Sequence, residues 1–305
     1  MDPIPLPAPT PVPPSELADD RLGGVRLWLK RDDLIDPEIT GNKWRKLRHN
    51  LAGLSPDRPL LTFGGAYSGH IRAVAAAGRR LGLATVGVIR GEEHLPLNPS
   101  LACARAYGMR LVYLDRSTYR AKDTPEVVAA LRARHGDFHL IPEGGSNAAG
   151  VRGCAELPAE LGMDYDLICC PVGTGGTLAG IAAGLPPGPR AVGFAVLKGA
   201  AYLSGEVARL QRDAHGEPTR NWTVDHGFHF GGYAKVPPDL AAFAADFEDR
   251  HGLEVERVYV AKMLYGVYAR ARDGHFPPGT RIVAVITGRR TFPQPSSPVA
   301  PTVLD

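Results

Sequence analysis

The chain has 305 residues, of which 44% are hydrophobic and 22% charged, a composition typical of a globular protein with a large core. Its 35 lysines and arginines stand against 32 acidic residues, and they are scattered without a basic stripe, so nucleic-acid binding is not indicated. No apolar run approaches membrane-spanning length, and we expect no membrane association.

The first segment, Pro3–Pro14, is rich in proline. It lacks the apolar centre of a secretory signal, and its composition favours an extended arm on the surface. Together with the cysteine usage considered below, this predicts a cytoplasmic protein.

The next feature is Lys43, one of only seven lysines, in the run Gly41-Asn42-Lys43-Trp44-Arg45-Lys46-Leu47. Here a loop that contains several acidic residues turns into a helix. The apolar residues that recur at helical spacing, and so predict a buried helix face, are Trp44, Leu47 and Leu51. Lys46 lies three residues after Lys43, so the two side chains can point toward the same neighbourhood. A lysine fixed near a helix start is what Schiff-base chemistry with a carbonyl cofactor requires, whereas the alternative is a solvated basic helix end.

A glycine turn, Gly64 to His70, follows a short apolar strand and leads into an alanine-rich helix. Its residues Tyr67, Ser68, Gly69 and His70 stand at the helix start, where backbone amides can hold a substrate carboxylate. An ordinary strand-to-helix turn is the alternative.

Strands and helices alternate through the middle of the chain. The predicted elements are Leu60–Phe63, Ser68–Leu81, Ala84–Ile89, Asn98–Gly108, Leu111–Leu114 and Pro125–His135. Such alternation predicts βαβ units and a mostly parallel sheet, hence an α/β fold. We assign residues 55–145 to a smaller domain and residues 1–54 with 146–290 to a larger one. The last segment, 291–305, is rich in proline and serine and predicts a loose tail.

A second glycine-rich turn follows the apolar run Leu167–Val172, which predicts a fully buried strand. The turn consists of Gly173, Thr174, Gly175, Gly176 and Thr177. Thr177 opens a predicted helix of small residues that runs to about Leu185. Free amides at a helix start form a phosphate site, although the turn is neither a dinucleotide fingerprint nor a P-loop. A glycine turn without a ligand is the alternative.

A third strand end carries Thr287. The run Arg281–Ile286 has the pattern of a buried strand, and Thr287-Gly288 ends it. Ligands of open α/β sheets bind beyond the carboxyl ends of the strands. A threonine hydroxyl there can donate a hydrogen bond to a ligand, whereas a simple turn residue is the alternative.

The four cysteines predict neither a zinc site nor a disulfide framework. Cys103 and Cys154 stand alone on predicted helices, while Cys169 and Cys170 are neighbours in a strand and should point to opposite faces. This usage fits a reducing compartment. We expect no metal site, because His226 and His229 lack further ligands nearby.

Taken together, these motifs resemble the fold-type II enzymes that use pyridoxal 5′-phosphate (PLP), and within them the 1-aminocyclopropane-1-carboxylate (ACC) deaminase and D-cysteine desulfhydrase family. The resemblance runs from about Leu27 to Gly288. The matching pieces are Lys30–Leu34, Gly41–Leu47, Gly64-Gly65 with Ser68 and His70, Glu143–Asn147, Gly173–Thr177, Tyr233, Val258-Tyr259 with Lys262, and Thr287-Gly288.

The resemblance implies two open, twisted, mostly parallel sheets with helices on both faces and the cofactor in a cleft between the domains. It makes Lys43 the lysine that binds PLP and moves protons, with Lys46 and the Gly173–Thr177 amides on the phosphate. Ser68 would serve proton transfer or bind the substrate carboxylate. Tyr233 and Tyr259 would flank the substrate, and Thr287 would face the pyridine nitrogen. Relatives are commonly homodimers.

The reaction that this implies is α,β-elimination on a small amino acid, giving a 2-oxo acid and ammonia. ACC deaminases have glutamate after the tyrosine equivalent to Tyr259 and leucine at the position of Thr287, whereas this chain has Val260 and Thr287. We therefore favour a D-cysteine desulfhydrase-like activity. Gly69 replaces the usual asparagine, which leaves the substrate preference open. The alternatives are ACC deaminase, a β-replacement synthase and a relative that binds a ligand without turnover.

Overall fold

The computed structural model describes Leu6 and residues 8–291, which separate into two units. The small unit is Leu47–Gly145 together with Leu6 and Ala8, and the large unit is Pro9–Lys46 with the described residues from Ser146 onward. The predicted boundary after residue 54 therefore lies further along the chain than the division between Lys46 and Leu47. The predicted tail, 291–305, lies outside the described residues except for Thr291. No helix within residues 6 and 8–291 is long and apolar enough to span a bilayer.

Strands and helices alternate through most of the chain. The strands are β1 (Ser15–Leu17), β2 (Arg26–Lys30), β3 (Leu60–Gly64), β4 (Thr85–Arg90), β5 (Arg110–Leu114), β6 (His139–Ile141), β7 (Leu167–Val172), β8 (Arg190–Ala195), β9 (Trp222–Asp225) and β10 (Arg281–Val285). The helices are α1 (Asn42–Asn50), α2 (Gly69–Leu81), α3 (Pro99–Ala106), α4 (Arg116–Arg120), α5 (Pro125–His135), α6 (Ala148–Ala155), α7 (Gly176–Gly184), α8 (Leu203–His215), α9 (Pro238–His251) and α10 (Val260–Arg272).

The small unit is built on a parallel four-stranded sheet in the order β5-β4-β3-β6. Every residue of β3 is buried, as expected for a strand covered on both faces. The predicted alternation of strands and helices is confirmed, although the prediction omitted β6, whose three residues carry little pattern. Helix α3 is also shorter than predicted, because the Asn98 side chain accepts hydrogen bonds from Ser100 and Leu101 as its N-cap.

The large unit has a six-stranded sheet in the order β1-β2-β10-β7-β8-β9, in which β1 alone runs antiparallel to its neighbour. Successive residues of its strands enter opposite cores. Ile282 of β10 packs in the core formed with α9 and α10, whereas Val283 packs in the core formed with α7 and α8. Helices therefore cover both faces of this sheet.

The same alternation separates the neighbouring cysteines. Cys169 belongs to the core on the α10 face and Cys170 to the core on the α7 face, as predicted. All four cysteines are buried, and none of these four described residues forms a disulfide.

In the large unit, the N-terminal arm has no regular structure from residue 9 to residue 14. The ammonium of Lys30 donates to the carbonyl oxygen of Val12 at 2.8 Å, and the amide of Thr10 donates to Ile35. The described part of Pro3–Pro14 thus agrees with the predicted arm, whereas Pro3–Pro5 and Pro7 lie outside the described residues.

Candidate active site

A cluster of charged side chains, all buried except that of Glu160, holds the start of α1. The Arg45 guanidinium forms two hydrogen bonds to Asp32, at 2.6 and 2.9 Å, and two to Glu160, at 2.6 and 2.7 Å. Lys30 lies 3.2 Å from Glu160. Such fork-shaped pairs fix direction as well as distance, so the first turn of α1 has one orientation on the sheet. Asp32 belongs to the acidic loop noted in the sequence, and its carboxylate accepts both hydrogen bonds from Arg45. The predicted apolar face of α1 is confirmed, because Trp44, Leu47 and Leu51 are buried.

Gly41 brings the end of β10 against the start of α1. Its φ is +65°, and a Cβ atom there would lie 1.9 Å from the carbonyl oxygen of Thr287. Only a glycine allows this approach without displacing backbone. Thr287 is consequently buried beside the helix turn that carries Lys43, at the carboxyl end of a strand, where ligands of open α/β sheets bind.

The glycine-rich loop leaves β7 and enters α7 in the same large unit. β7 pairs with β10 in parallel. Thr287 and this loop therefore follow the carboxyl ends of neighbouring strands. Helix α7 begins at Gly176, with Gly175 as its N-cap and no capping side chain. Amides at such a helix start favour an anion.

Lys46 joins α1 to this loop. Its ammonium donates to Ser146 Oγ at 3.0 Å, and Ser146 Oγ bonds Thr174 Oγ1 at 2.6 Å. The Lys46 side chain is buried, and desolvation lowers its pKa. A phosphate group beside it would compensate that desolvation, because the opposite charge favours the protonated lysine.

Lys43 is connected to the other end of the glycine-rich loop, Thr177, through Asn42. Its ammonium donates to Asn42 Oδ1 at 2.6 Å, and Asn42 Nδ2 donates to Thr177 Oγ1 at 2.8 Å. Lys43 is half-buried. Two hydrogen-bonded chains therefore run from one helix turn to one glycine-rich loop.

Tyr259 lies over the beginning of the loop. A Cβ atom at Gly173 would lie 3.1 Å from its ring. Tyr259 precedes α10, and its amide donates to the carboxylate of Glu256 at 2.7 Å. Its ring meets that of Tyr233 edge to face, with 5.9 Å between the ring centroids. The predicted large-unit residues thus gather around one loop.

The small unit carries the remaining predicted residues at the start of α2. Ser68 caps this helix, since its hydroxyl accepts from the amides of His70 and Ile71 at 3.2 and 3.4 Å. Tyr67 is exposed. A Cβ atom at Gly69 would find its nearest neighbour, the Arg72 guanidinium, 3.6 Å away, so the asparagine usual in the family has room there.

The His70 side chain packs inside the small unit, whereas the predicted role of this residue rests on the backbone amides at the helix start. The ring is buried, and its Nε2 bonds the hydroxyl of Thr62 on β3 at 2.8 Å. The first turn of α2 packs on the sheet, which directs this ring inward. The predicted part of His70 in substrate binding stays a prediction.

Sequence reasoning gave no role to Asn42, Ser146 or Arg45. Asn42 and Ser146 each stand in a motif, Gly41–Leu47 and Glu143–Asn147, and this was the one available signal. Their partners are 135 and 100 residues away along the chain, so spacing could not reveal them.

The residues around the glycine-rich loop fit a phosphorylated cofactor. A buried ammonium, the hydroxyls of Ser146, Thr174 and Thr177, and the start of α7 form a donor set suited to phosphate. The absence of a side chain at Gly176 keeps the space open, because a Cβ atom there would lie 2.6 Å from Ser146 Oγ and 3.2 Å from Lys46 Nζ.

Comparisons with known proteins agree with this reading. The model of the family described as pyridoxal-phosphate dependent enzyme matches residues 4–288. A putative 1-aminocyclopropane-1-carboxylate deaminase of Pyrococcus furiosus is 30% identical over 292 residues, covering 88% of this chain and 86% of that protein. D-cysteine desulfhydrase of Klebsiella pneumoniae is 26% identical and covers 92% of both chains.

Among solved structures, an ACC deaminase homologue superposes with a TM-score of 0.77 at 27% identity, covering 88% of this chain and 86% of that one. A tomato threonine deaminase, at 21% identity and a TM-score of 0.65, shares the fold over 89% of this chain and 77% of that one. The fold is thus that of the fold-type II PLP enzymes. The chain belongs to the pyridoxal-phosphate dependent enzyme family, and its cofactor is PLP.

We expect Gly176→Ala to weaken PLP binding. The new methyl group would displace Ser146 Oγ and crowd the Lys46 ammonium. Losing these donors should lower the affinity of the apoenzyme for PLP about 10-fold or more, measured by titration with the cofactor.

Gly205→Ala is the matched control for this substitution. Gly205 is an exposed residue inside α8, and a Cβ atom there meets nothing within 4 Å. It should leave PLP affinity unchanged and raise the free energy of unfolding by about 0.5–1 kcal/mol. Equal PLP affinities of the two variants would contradict the role of the Gly176 space.

Proposed function

We propose that the protein is a PLP-dependent lyase that catalyses α,β-elimination on D-cysteine or a closely related small amino acid. The observation that carries the proposal is the arrangement of α1, in which Lys43 and Lys46 each reach the Gly173–Thr177 loop through a hydrogen-bonded partner. One lysine is then available for the cofactor aldehyde and the other for its phosphate.

Different residues of the site would bind the phosphate group and the pyridine ring of the cofactor. Lys46, Ser146, Thr174 and Thr177 would hold the phosphate, together with the amides of Gly173, Gly175 and Gly176. Thr287 would donate its hydroxyl hydrogen to the pyridine nitrogen. When bound, PLP supplies a conjugated ring that accepts the electron pair of the α-carbon.

Lys43 is proposed to bear the cofactor and to take the proton from the α-carbon. Its ammonium lies 2.6 Å from Asn42 Oδ1, so the amine has a hydrogen-bond acceptor that fixes its position. A lysine amine held in such a place would act as the base that takes the proton from the α-carbon. Ser68 is proposed to act on the substrate as a proton-transfer or carboxylate-binding group, with the backbone around Tyr67 and Gly69 beside it.

The proposed reaction converts one D-cysteine and one water into pyruvate, ammonia and hydrogen sulfide. The α-proton passes to Lys43, the pair of electrons forms the bond between the α- and β-carbons, and the bond from the β-carbon to sulfur breaks. Sulfur leaves as hydrogen sulfide once it is protonated. The three-carbon enamine takes up one water and gives pyruvate and ammonia.

Val260 favours this reaction over opening of a cyclopropane ring. It follows Tyr259 directly and is fully buried among the apolar residues of the α10 core. A glutamate, which ACC deaminases carry here, would add a carboxylate beside the tyrosine. Without that carboxylate we infer the simpler elimination, with Tyr233 and Tyr259 flanking the substrate.

ACC deaminase remains the second candidate, and the names of relatives favour it. Besides the Pyrococcus protein, a mitochondrial protein of Arabidopsis thaliana named bifunctional D-cysteine desulfhydrase/1-aminocyclopropane-1-carboxylate deaminase is 28% identical, covering 87% of this chain and 72% of that protein. Both activities use the same cofactor, so substrate assays must separate them. A homodimer and a cytoplasmic location stay predictions.

The test is product release by the PLP-loaded enzyme. We expect pyruvate, sulfide and ammonia in equal amounts from D-cysteine, and little or no product from L-cysteine. ACC should give no 2-oxobutanoate above the level of a sample whose lysine-bound cofactor has been reduced with borohydride. Turnover of ACC alone would replace the first candidate by the second.

A further inference from the structure

Lys262 is a buried charged residue that the proposed chemistry does not use. It lies in the first turn of α10, three residues after Tyr259, and its side chain has no exposed surface. Its ammonium donates to the carbonyl oxygens of Gly232 at 2.7 Å and His229 at 3.0 Å, and it lies 3.5 Å from that of Val196.

These acceptors belong to segments that surround the proposed substrate tyrosines. Val196 directly follows β8, and Gly232 immediately precedes Tyr233. Lys262 is itself on the helix that begins after Tyr259. One ammonium therefore joins the helix under one tyrosine to the loop that carries the other, whose ring centroid lies 5.9 Å away from that of the first.

The loop from His229 to Ala234, here called the tyrosine loop, combines internal hydrogen bonds, such as that from the Gly232 amide to the His229 carbonyl oxygen, with a strained backbone. Within the described part of the chain, the two non-glycine residues with φ in the left-handed region are Phe230, at 52°, and Ala234, at 57°. Such conformations persist only where surrounding contacts impose them. On one side the Phe230 ring meets Tyr265 edge to face, with 4.9 Å between the centroids. On the other side the loop carbonyls meet Lys262.

The charge of Lys262 is balanced within the same region. Glu256 is half-buried and accepts hydrogen bonds from the amides of Val258, Tyr259 and Val260, and its carboxylate attracts the Lys262 ammonium. Burial lowers the pKa of Lys262 to about 8, which leaves the side chain mostly protonated at neutral pH. Carbonyl oxygens around a protonated amine form charge-assisted hydrogen bonds, stronger than neutral ones.

We propose that Lys262 is a positioning residue that sets the place of Tyr233 against the substrate by holding the carbonyl oxygens of the tyrosine loop. It does not touch the reacting atoms. This inference rests on the proposed function, because it takes Tyr233 as a residue that faces the substrate.

The experiment compares Lys262→Met and Lys262→Arg with Lys235→Met. Lys235 is exposed and directly follows the tyrosine loop, so the same substitution there changes a lysine next to this loop without removing the buried ammonium. We expect Lys262→Met to lower kcat/KM about 10²-fold, chiefly through kcat, because small displacements of positioned groups are costly. Lys262→Arg should recover most of the loss, and Lys235→Met should show none.

Two further measurements distinguish positioning from general damage. In a Tyr233→Ala background, Lys262→Met should cost little more, since the side chain that it positions is absent. Hydrogen exchange of the holoenzyme should be faster in residues 229–234 for Lys262→Met, and unchanged in the strands of the large unit. An equal kinetic loss with and without Tyr233, or unchanged exchange in the tyrosine loop, would overturn the inference.

The exchange measurement needs no turnover. If the wild-type enzyme eliminates sulfide from no cysteine and opens no ACC, the proposed function fails. The exchange of the tyrosine loop in Lys262→Met still decides whether Lys262 holds it.

Discussion

Lys43→Ala should abolish the reaction while leaving PLP bound. We expect turnover of any amino acid to fall by about 10²–10⁴-fold or more, because the variant loses both the attachment point and the proposed base. This substitution does not touch the hydrogen bond from Lys46 to Ser146 or the one between Ser146 and Thr174 of the glycine-rich loop. The cofactor should therefore remain, without the visible absorption of its lysine-bound form.

The measurement combines kinetics with chemical trapping. Borohydride reduction of the wild-type holoenzyme, followed by peptide mass spectrometry, should find the cofactor on Lys43. Lys198→Ala serves as the control, because Lys198 is exposed, and it should keep both turnover and the adduct at position 43. An adduct on Lys46, or full turnover by Lys43→Ala, would contradict the assignment.

Lys46→Met should separate cofactor affinity from protein stability. A hydrogen bond to a charged group contributes about 1.5–3 kcal/mol, so PLP affinity should fall roughly 10–100-fold. The unfolding free energy of the apoenzyme should stay constant or rise, because the substitution removes an ammonium whose pKa burial lowers.

The stability of the apoenzyme should depend on pH in a direction that the lowered pKa of Lys46 determines. Because the folded pKa of Lys46 lies below its ordinary value of 10.5, the unfolded chain binds more protons between these two values. Stability of the apoenzyme therefore rises with pH across that window, and Lys46→Met should lack this contribution. Lys46→Arg, which keeps a positive charge, should bind PLP more tightly than Lys46→Met does. Urea unfolding with and without PLP measures both quantities, and a parallel loss of affinity and apoenzyme stability would argue against a phosphate role.

The elements of the site were more predictable than its connections. The strand Leu167–Val172 and the helix after the glycine turn follow from local pattern, because a buried parallel strand is continuously apolar and glycines mark its end. The two hydrogen-bonded chains from α1 could not be predicted, since each joins residues at least 100 positions apart.

Single polar residues were the least predictable. The spacing of His70 places it at a helix start and gives no sign of which way the ring points, a choice made by packing against Thr62 on β3. Lys262 had an informative sequence context but no visible partners, because its acceptors are backbone carbonyl oxygens, which every residue possesses. Function could therefore be predicted at the level of motifs, whereas the supporting contacts required coordinates.

The burial of the four thiols affects their reactivity toward an aldehyde cofactor. Burial raises the pKa of Cys154 and Cys169, and it raises that of Cys170 to about 12. Thiols kept protonated are poor nucleophiles. A catalyst whose cofactor is an aldehyde would then offer that aldehyde no competing thiolate from these three cysteines.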